Sequence, residues 1–410
     1  MKILYLVPYT PNKIRVRPYN LIRSLAAHGN AVTLLTLWSE PADLENIRAL
    51  EAEGIEVIAF QLKTVRSLMN SALAVLSTDP LQAHYCWHPG LAEKLIELVM
   101  GGSTPGFDVV HIEHLRGARY GQHLRARQAG RNATPIVWDS VDSITYLFQQ
   151  AAEKSKKLKS RLMTRFELPR TRQYEPKMAG LFDCTLVTSH LDQEAYHQLI
   201  TSAADREKVC ILPNGVDLDY FAPLPAQERE PATLVISGKM SYHANISMTN
   251  YLVEHIMPHI WDRLPDVKLW IVGKDPPPEI QQLAEHRGVT VTGFVDDLRP
   301  YLQKATVALA PLTYGAGIQN KVLEAMACAT PVVATPKAVA ALTAREGEDL
   351  LVEQDPAVFA DQVMSLINEP ERARRVGEAG RKFVEDCHSW DRVAADLESI
   401  YLETAQKRSK

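Results

Sequence analysis

Residues 305–327 read Ala-Thr-Val-Ala-Leu-Ala-Pro-Leu-Thr-Tyr-Gly-Ala-Gly-Ile-Gln-Asn-Lys-Val-Leu-Glu-Ala-Met-Ala. The apolar run from Ala305 to Leu312 has the length and composition of a buried strand. Gly315 and Gly317 then permit a sharp turn into a helix and a close approach of a ligand to the backbone. A helix start presents unpaired N–H groups and the positive end of its dipole, which suit a phosphate. Lys321 in the first turn adds a positive charge, and Glu324 lies three residues on, on the same helix face. A carboxylate placed there accepts hydrogen bonds from sugar hydroxyls. Phosphate donors beside a hydroxyl acceptor describe a site for a nucleotide-sugar.

The same strand-then-helix alternation runs outward in both directions. Upstream, strands are expected at Lys2–Val7, Ala31–Leu37, Ile55–Phe60, Asp108–Ile112, Pro135–Trp138, Cys184–Thr188 and Lys208–Leu212. Amphipathic segments such as Pro18–His28, Leu91–Met100 and Leu191–Ile200 lie between them. The pattern restarts with strands at Thr233–Ser237, Lys268–Val272, Val289–Thr292, Thr306–Ala310, Pro331–Ala334 and Leu350–Val352. Helices are expected near Ile246–Leu264, Glu279–Arg287, Ile318–Cys328, Ala357–Asn368 and Glu371–Glu385. Strands that are apolar throughout and joined by helices imply parallel sheets covered on both faces. The fold class is therefore α/β: two doubly wound, Rossmann-like domains facing a central cleft. Residues 1–212 form the first domain and 213–388 the second. The final helix, within 389–410, joins the first; its Val393, Leu397 and Ile400 recur at helical spacing.

Composition sets the outer bounds. A chain of 410 residues exceeds one ordinary core. Its net charge of −4 gives no general attraction to nucleic acid. The five cysteines are scattered and never spaced as Cys-x-x-Cys, which argues for a reducing compartment and against a zinc site. Met1–Pro8 reads as a first strand rather than a signal peptide, and no run approaches the roughly 18 apolar residues of a membrane span. The expected location is cytoplasmic. Gln149–Lys177, with nine basic residues against three acidic ones, reads either as a solvated helix or as a peripheral contact with anionic lipid on the inner face of the membrane.

Several further motifs stand in a fixed order: Pro213-Asn214-Gly215-Val216-Asp217, Gly238-Lys239, Val272-Gly273, Gly293-Phe294-Val295-Asp296-Asp297, then the stretch quoted above, Pro331–Thr335 and Ser389-Trp390. Together these resemble the retaining GT-B glycosyltransferases of family four. Ile14–Leu21 is similar to the branch found near exopolysaccharide and exosortase-associated gene sets. The resemblance implies a UDP- or GDP-sugar donor held by the second domain and a glycan or lipid-linked acceptor held by the first. It implies no cofactor beyond that donor. Lys239 occupies the place of the family's diphosphate-binding arginine, with Gly238 and Gly273 beside it. Lys321 and the backbone of Gly315, Gly317, Ile318, Gln319 and Asn320 would cradle the diphosphate. Glu324 would bind the ribose, and Phe294 and Val295 would lie against the base.

Two positions depart from the family pattern in the donor site. Ala316 stands where the first of two acidic residues is expected, Glu324 being the second; Asn245 stands where a second basic residue is expected. After the first strand, Asn12 and Lys13 replace a glycine pair.

A retaining transferase needs no covalent nucleophile, so charge stabilisation of the departing diphosphate by Lys239, Lys321 and the helix start is the main catalytic term. His114 is the preferred cleft histidine at the end of the Asp108–Ile112 strand, with Glu113 as the alternative. Asn12, Arg15, Arg17, Glu113 and Asp139 are candidate acceptor contacts; for the two arginines the alternative is loop surface, and for Asp139 a helix cap. Asp217-Leu218-Asp219 reads as turn chemistry, and no tightly bound catalytic metal is expected. The competing readings are an inactive nucleotide-sugar-binding relative, suggested by Ala316 and Asn245, and a nucleotide-sugar epimerase. A dinucleotide dehydrogenase lacks its Gly-x-Gly-x-x-Gly after any strand.

Overall fold

The computed structural model describes residues 1–13, 15–102, 106–128, 133–154, 158–224, 229–315 and 317–409. The chain divides into two compact units, Met1–Pro213 with Val393–Lys410, and Asn214–Arg392.

The first unit holds strands β1 (Lys2–Val7), β2 (Ala31–Trp38), β3 (Glu56–Gln61), β4 (Val109–Glu113), β5 (Ile136–Val141), β6 (Cys184–Val187) and β7 (Val209–Ile211). They form one seven-stranded sheet in the order β3-β2-β1-β4-β5-β6-β7, with every neighbour parallel. Ile3 to Val7 are all fully buried, the mark of a strand covered on both faces.

The second unit repeats the plan with β8 (Thr233–Ser237), β9 (Lys268–Val272), β10 (Val289–Gly293), β11 (Val307–Ala310), β12 (Val332–Ala334) and β13 (Leu351–Val352). Its order is β10-β9-β8-β11-β12-β13, again parallel throughout. Strand order reverses at β1/β4 in one sheet and at β8/β11 in the other. Ligands of open α/β sheets bind outside the carboxyl ends of the strands at such points. The segments at issue are therefore those after β1 and β4, and those after β8 and β11.

Every strand expected from the sequence is present, with ends displaced by at most a few residues. The helices depart more. The expected helix over Ile246–Leu264 is His243–Tyr251, a π-helical turn at Leu252–Ile256, and then Met257–Trp261. Pro258 has no N–H to donate into an α-helical ladder, and the wider turn lies just before it. The Glu279–Arg287 segment is a short helix, Pro278–Gln281, followed by a 3₁₀ turn to Glu285. The basic stretch falls on Ile144–Lys154 and Leu158–Leu181. Within it Lys156 and Lys157 lie outside the described residues, as do the side chains of Lys154, Lys159 and Arg161.

Candidate active site

In the second unit the carboxyl ends of β8 and β9 press together. A Cβ on Gly273 would lie 1.7 Å from the Gly238 carbonyl oxygen, so no side chain fits there. Gly238 and Gly273 have φ of +145° and +150°, in the region that favours glycine. Next comes Lys239, whose side chain is exposed, while its carbonyl accepts from the Tyr242 N–H at 3.0 Å and from Asn245 Nδ2 at 2.9 Å.

The segment after β11 leads into the helix Asn320–Ala327 through Gly315 at φ +150° and Gly317 at φ +72°. Ala316 lies outside the described residues. Gln319 is the N-cap position but makes no side-chain cap; its carbonyl accepts the Val322 N–H at 2.9 Å, and the amides of Asn320 and Lys321 have no side-chain cap. Gln319 Nε2 instead donates to the Gly317 carbonyl at 3.3 Å. Asn320 Oδ1 is buried and has no hydrogen-bond partner among the described residues. Ile318 packs on the unit's core and anchors the turn.

Lys321 Nζ donates to Asn245 Oδ1 at 2.5 Å and reaches Met248 Sδ at 3.8 Å. Enclosure by protein lowers its pKa to about 8, partly offset by Glu324. The same enclosure raises Glu324 to about 7, offset in part by Lys321. A lysine crowded at the positive end of a helix is short of anionic company, and a diphosphate supplies it. Thus Gly238, Gly273, Asn245 and Lys321 are joined through direct contacts, and Lys321 lies on the helix that the glycine turn leads into. Phe294 is 70% exposed after β10, and Val295 packs on the core beside it.

In the first unit, β4 ends at Glu113 and His114 opens the helix His114–Arg125 with φ +65°, a strained value for a residue with a Cβ. Its Nδ1 accepts the Arg116 backbone N–H at 3.3 Å, which assigns the ring hydrogen to Nε2. Burial, Arg116 and Arg15 hold its pKa down at about 3, so His114 is a neutral hydrogen-bond donor. After β1, Asn12 Oδ1 accepts the Arg15 backbone N–H at 2.9 Å, and exposed Arg15 lies 4.4 Å over the Tyr9 ring.

Three other acceptor candidates are interior instead. Arg17 is 4% exposed; its Nε donates to Asp139 Oδ2 at 2.8 Å, and its two Nη atoms donate to the Leu212 and Pro213 carbonyls, each at 3.0 Å. Asp139 and Glu113 are buried with it, so none of the three can meet an acceptor in this arrangement. The hydrophobic flanks of β4 and β5 carry these polar groups inward, and burial of the arginine then demands the pairing. Glu113 accepts from Tyr5 at 3.2 Å, and burial raises its pKa to about 7.

The sequence reading passed over His111 and Tyr401, members of the same cluster. The Tyr401 hydroxyl on the last helix lies 2.7 Å from His111 Nδ1, and His111 stacks on Tyr5 with centroids 4.0 Å apart. His111, Glu113 and Asp139 are the one set of metal-type ligands gathered together among the described residues. Arg17 already supplies the positive charge there. Asp217 serves the local turn instead, its Oδ1 accepting the Tyr220 N–H at 2.9 Å.

Two family models match consecutive parts of the chain: a glycosyl transferase 4-like domain over residues 14–215 and glycosyl transferases group 1 over 231–369. Among curated relatives, alpha-maltose-1-phosphate synthase of Mycolicibacterium smegmatis is 32% identical, covering 48% of this chain and 58% of that protein. Phosphatidyl-myo-inositol mannosyltransferase of Mycobacterium tuberculosis is 30% identical, covering 48% of this chain and 55% of that protein. The chain thus spans little more than half the length of these relatives. The fold is matched from end to end. Sucrose-phosphate synthase from Thermosynechococcus elongatus superposes with a TM-score of 0.65 at 20% identity, over 98% of each chain. Anabaena HepE, solved in complex with UDP and glucose, gives 0.66 at 16% identity, over 98% of this chain and 100% of that one. With both sheets, the turn into Asn320–Ala327 and these matches in agreement, the chain belongs to the family-4-like glycosyltransferases of GT-B fold.

Proposed function

We propose that this protein transfers a sugar from a UDP- or GDP-linked donor to a glycan or lipid-linked acceptor, with retention of configuration, in the synthesis of a cell-surface polysaccharide or glycolipid. The observation that carries the proposal is the uncapped start of the Asn320–Ala327 helix with Lys321 and Glu324 on it. The helix amides and Lys321 would hold the diphosphate, with exposed Lys239 after β8 as a second cation. Glu324 would accept from the ribose, and Phe294 and Val295 would face the base. The UDP bound by HepE and the mannosyl transfer named for the mycobacterial relative support a nucleotide-sugar donor of this kind.

As the bond to the sugar breaks, negative charge grows on the leaving diphosphate. Fixed amides and ammonium groups stabilise that charge without reorganising. The leaving phosphate takes the acceptor's proton on the face it departs from, so configuration is kept and no protein nucleophile is required. His114, neutral with Nε2–H available, would donate a hydrogen bond to the sugar or its phosphate. Asn12 and Arg15 remain as acceptor contacts. No resident metal or other cofactor is invoked, and the protein would work in the cytoplasm.

Asn245 and Ala316 favour a second reading, a nucleotide-sugar-binding relative without turnover, since each replaces an expected charged group. One assay separates the two. Purified protein is incubated with a panel of UDP- and GDP-sugars, with and without sugar and lipid-linked acceptors, and nucleoside diphosphate release is followed. Acceptor-dependent release that is lost in Lys321→Ala and Glu324→Ala supports the transferase. Donor binding with no release across the panel supports the inactive relative.

A further inference from the structure

The helix Thr64–Ala74 is mounted with its apolar side outward. Ser67 and Ala74 are its buried residues, and Asn70 Nδ2 donates to the Tyr85 and Trp87 carbonyls at 3.3 and 2.9 Å. Ser67, Asn70, Ser71 and Ala74 recur at helical spacing and make the inward side. On the other side, and in the turn that follows, Val65, Leu68, Met69, Leu73, Val75 and Leu76 are between 48% and 89% exposed. A surface helix ordinarily turns the other way, with its apolar stripe on the core. Contiguous exposed apolar surface of this size marks a place of binding.

The helix Leu158–Leu181 extends the face and sets the charge of its rim. Arg170 ties the two elements, donating to the carbonyls of Ala74, Val75 and Asp79 at 3.2, 3.1 and 2.9 Å while lying 4.1 Å over the Phe166 ring. Phe166 and Met163 are themselves exposed. The acids of this helix are turned inward. Glu167 accepts the Leu81 N–H at 3.2 Å, and buried Glu175 accepts the Ile144 and Thr145 N–H groups at 2.6 and 3.2 Å. Arg165, Arg172 and Lys177 are exposed, as are Lys63, just before the helix Thr64–Ala74, and Arg66 on it. No aspartate or glutamate lies between Lys63 and Thr78.

We propose that this face docks on an anionic phospholipid bilayer. Leu68, Met69, Leu73, Leu76 and Phe166 enter the boundary between headgroups and acyl chains, and the surrounding bases meet lipid phosphates. Exposed bases outnumber acids among the described residues of the rim, which argues against self-association, because a two-fold pairing of the face would set like charges together. The docking does not depend on the reaction proposed above.

The full chain is floated with mixed phosphatidylcholine–phosphatidylglycerol vesicles and with pure phosphatidylcholine vesicles. Two variants accompany it: Leu68→Ser/Met69→Ser/Leu73→Ser and Arg165→Glu/Arg172→Glu. These positions are exposed, so circular dichroism and melting are expected to match the unaltered protein. The expected result is binding to the mixed vesicles, at least tenfold weaker binding to the neutral ones, and at least a tenfold loss in each variant. Absence of binding, equal binding to both vesicles, or variants that bind like the unaltered protein would overturn the proposal. So would a dimer that the serine variant breaks without any flotation, which would give the face to a second copy of the chain.

Discussion

The Lys321 ammonium donates to Asn245 Oδ1 at 2.5 Å, and Asn245 Nδ2 donates onward to the Lys239 carbonyl at 2.9 Å. One amide therefore fastens the helix start after β11 to the turn after β8. It also explains how an uncharged residue serves at a position where the family resemblance leads one to expect a base: a second cation here would crowd Lys321. Asn245→Asp turns the tether into an ion pair, raises the Lys321 pKa and sets a negative charge against any bound diphosphate. Affinity for UDP or GDP is expected to fall at least tenfold by titration calorimetry, with the fold intact.

Donor binding should have an optimum between about pH 7 and 8. Lys321, lowered to about 8 by its enclosure, must take up a proton when an anion binds above that pH. Glu324, raised to about 7, must lose a proton below that pH to accept from ribose hydroxyls. Affinity then falls on both sides, by up to tenfold per pH unit. Calorimetry in buffers of different ionisation enthalpy counts those protons: uptake near pH 9 and release near pH 6. A flat profile would show that these two groups do not face the ligand.

Glu324→Ala is expected to weaken UDP or GDP much more than inorganic pyrophosphate, because the carboxylate serves the ribose. Lys321→Ala should weaken both alike and lower kcat on the order of 10²–10³-fold, the usual cost of one donor to a developing anion. Competition binding with pyrophosphate and UDP distinguishes the two roles.

Glu113 makes stability depend on pH. Its folded pKa of about 7 lies above the ordinary carboxylate value, so its contribution is fully present below about pH 4.5 and is lost as pH rises through 7. Glu113→Gln removes the ionising group while keeping an acceptor for Tyr5. Its melting temperature is expected to exceed that of the unaltered protein at pH 8, with the gap closing by pH 5. Parallel melting curves at the two pH values would contradict this.

His114 pays for its position with backbone strain of roughly 1–3 kcal/mol. His114→Gly relieves that strain and should melt higher, yet lose transferase activity because the Nε2 donor is gone. His114→Ala keeps the strain and loses the donor. A glycine variant with full activity would remove the imidazole from the mechanism.

Both sheets were legible because the strands are short, mostly apolar runs, nearly all closed by proline, glycine or charge, and they alternate with helical segments. The turn after β11 and the helix it opens were legible too: Gly315, Gly317, Lys321 and Glu324 lie within ten residues of chain, where local spacing alone sets which face a side chain takes. The buried cluster was not. Arg17, His111, Glu113, Asp139 and Tyr401 come from distant parts of the sequence, and each alone reads as a surface charge or an amphipathic aromatic. Only the closure of the sheet shows that they satisfy one another. The mounting of the helix Thr64–Ala74 was not legible, because the rule that a surface helix buries its apolar stripe points the opposite way here. The break near Pro258 was written in the sequence as a proline, but a π turn is one of several ways to absorb it.

The hydroxyl of Tyr401 lies against His111 in the middle of the first sheet, and the unit that contains both is interrupted by residues 214 to 392. A ribosome making this chain therefore releases all of β1 to β7 long before the tyrosine that completes their interior exists. During synthesis the amino-terminal unit waits with the His111 imidazole lacking its hydroxyl partner. Tags and truncations at the carboxyl end act, for the same reason, on the interior of the opposite end of the sequence.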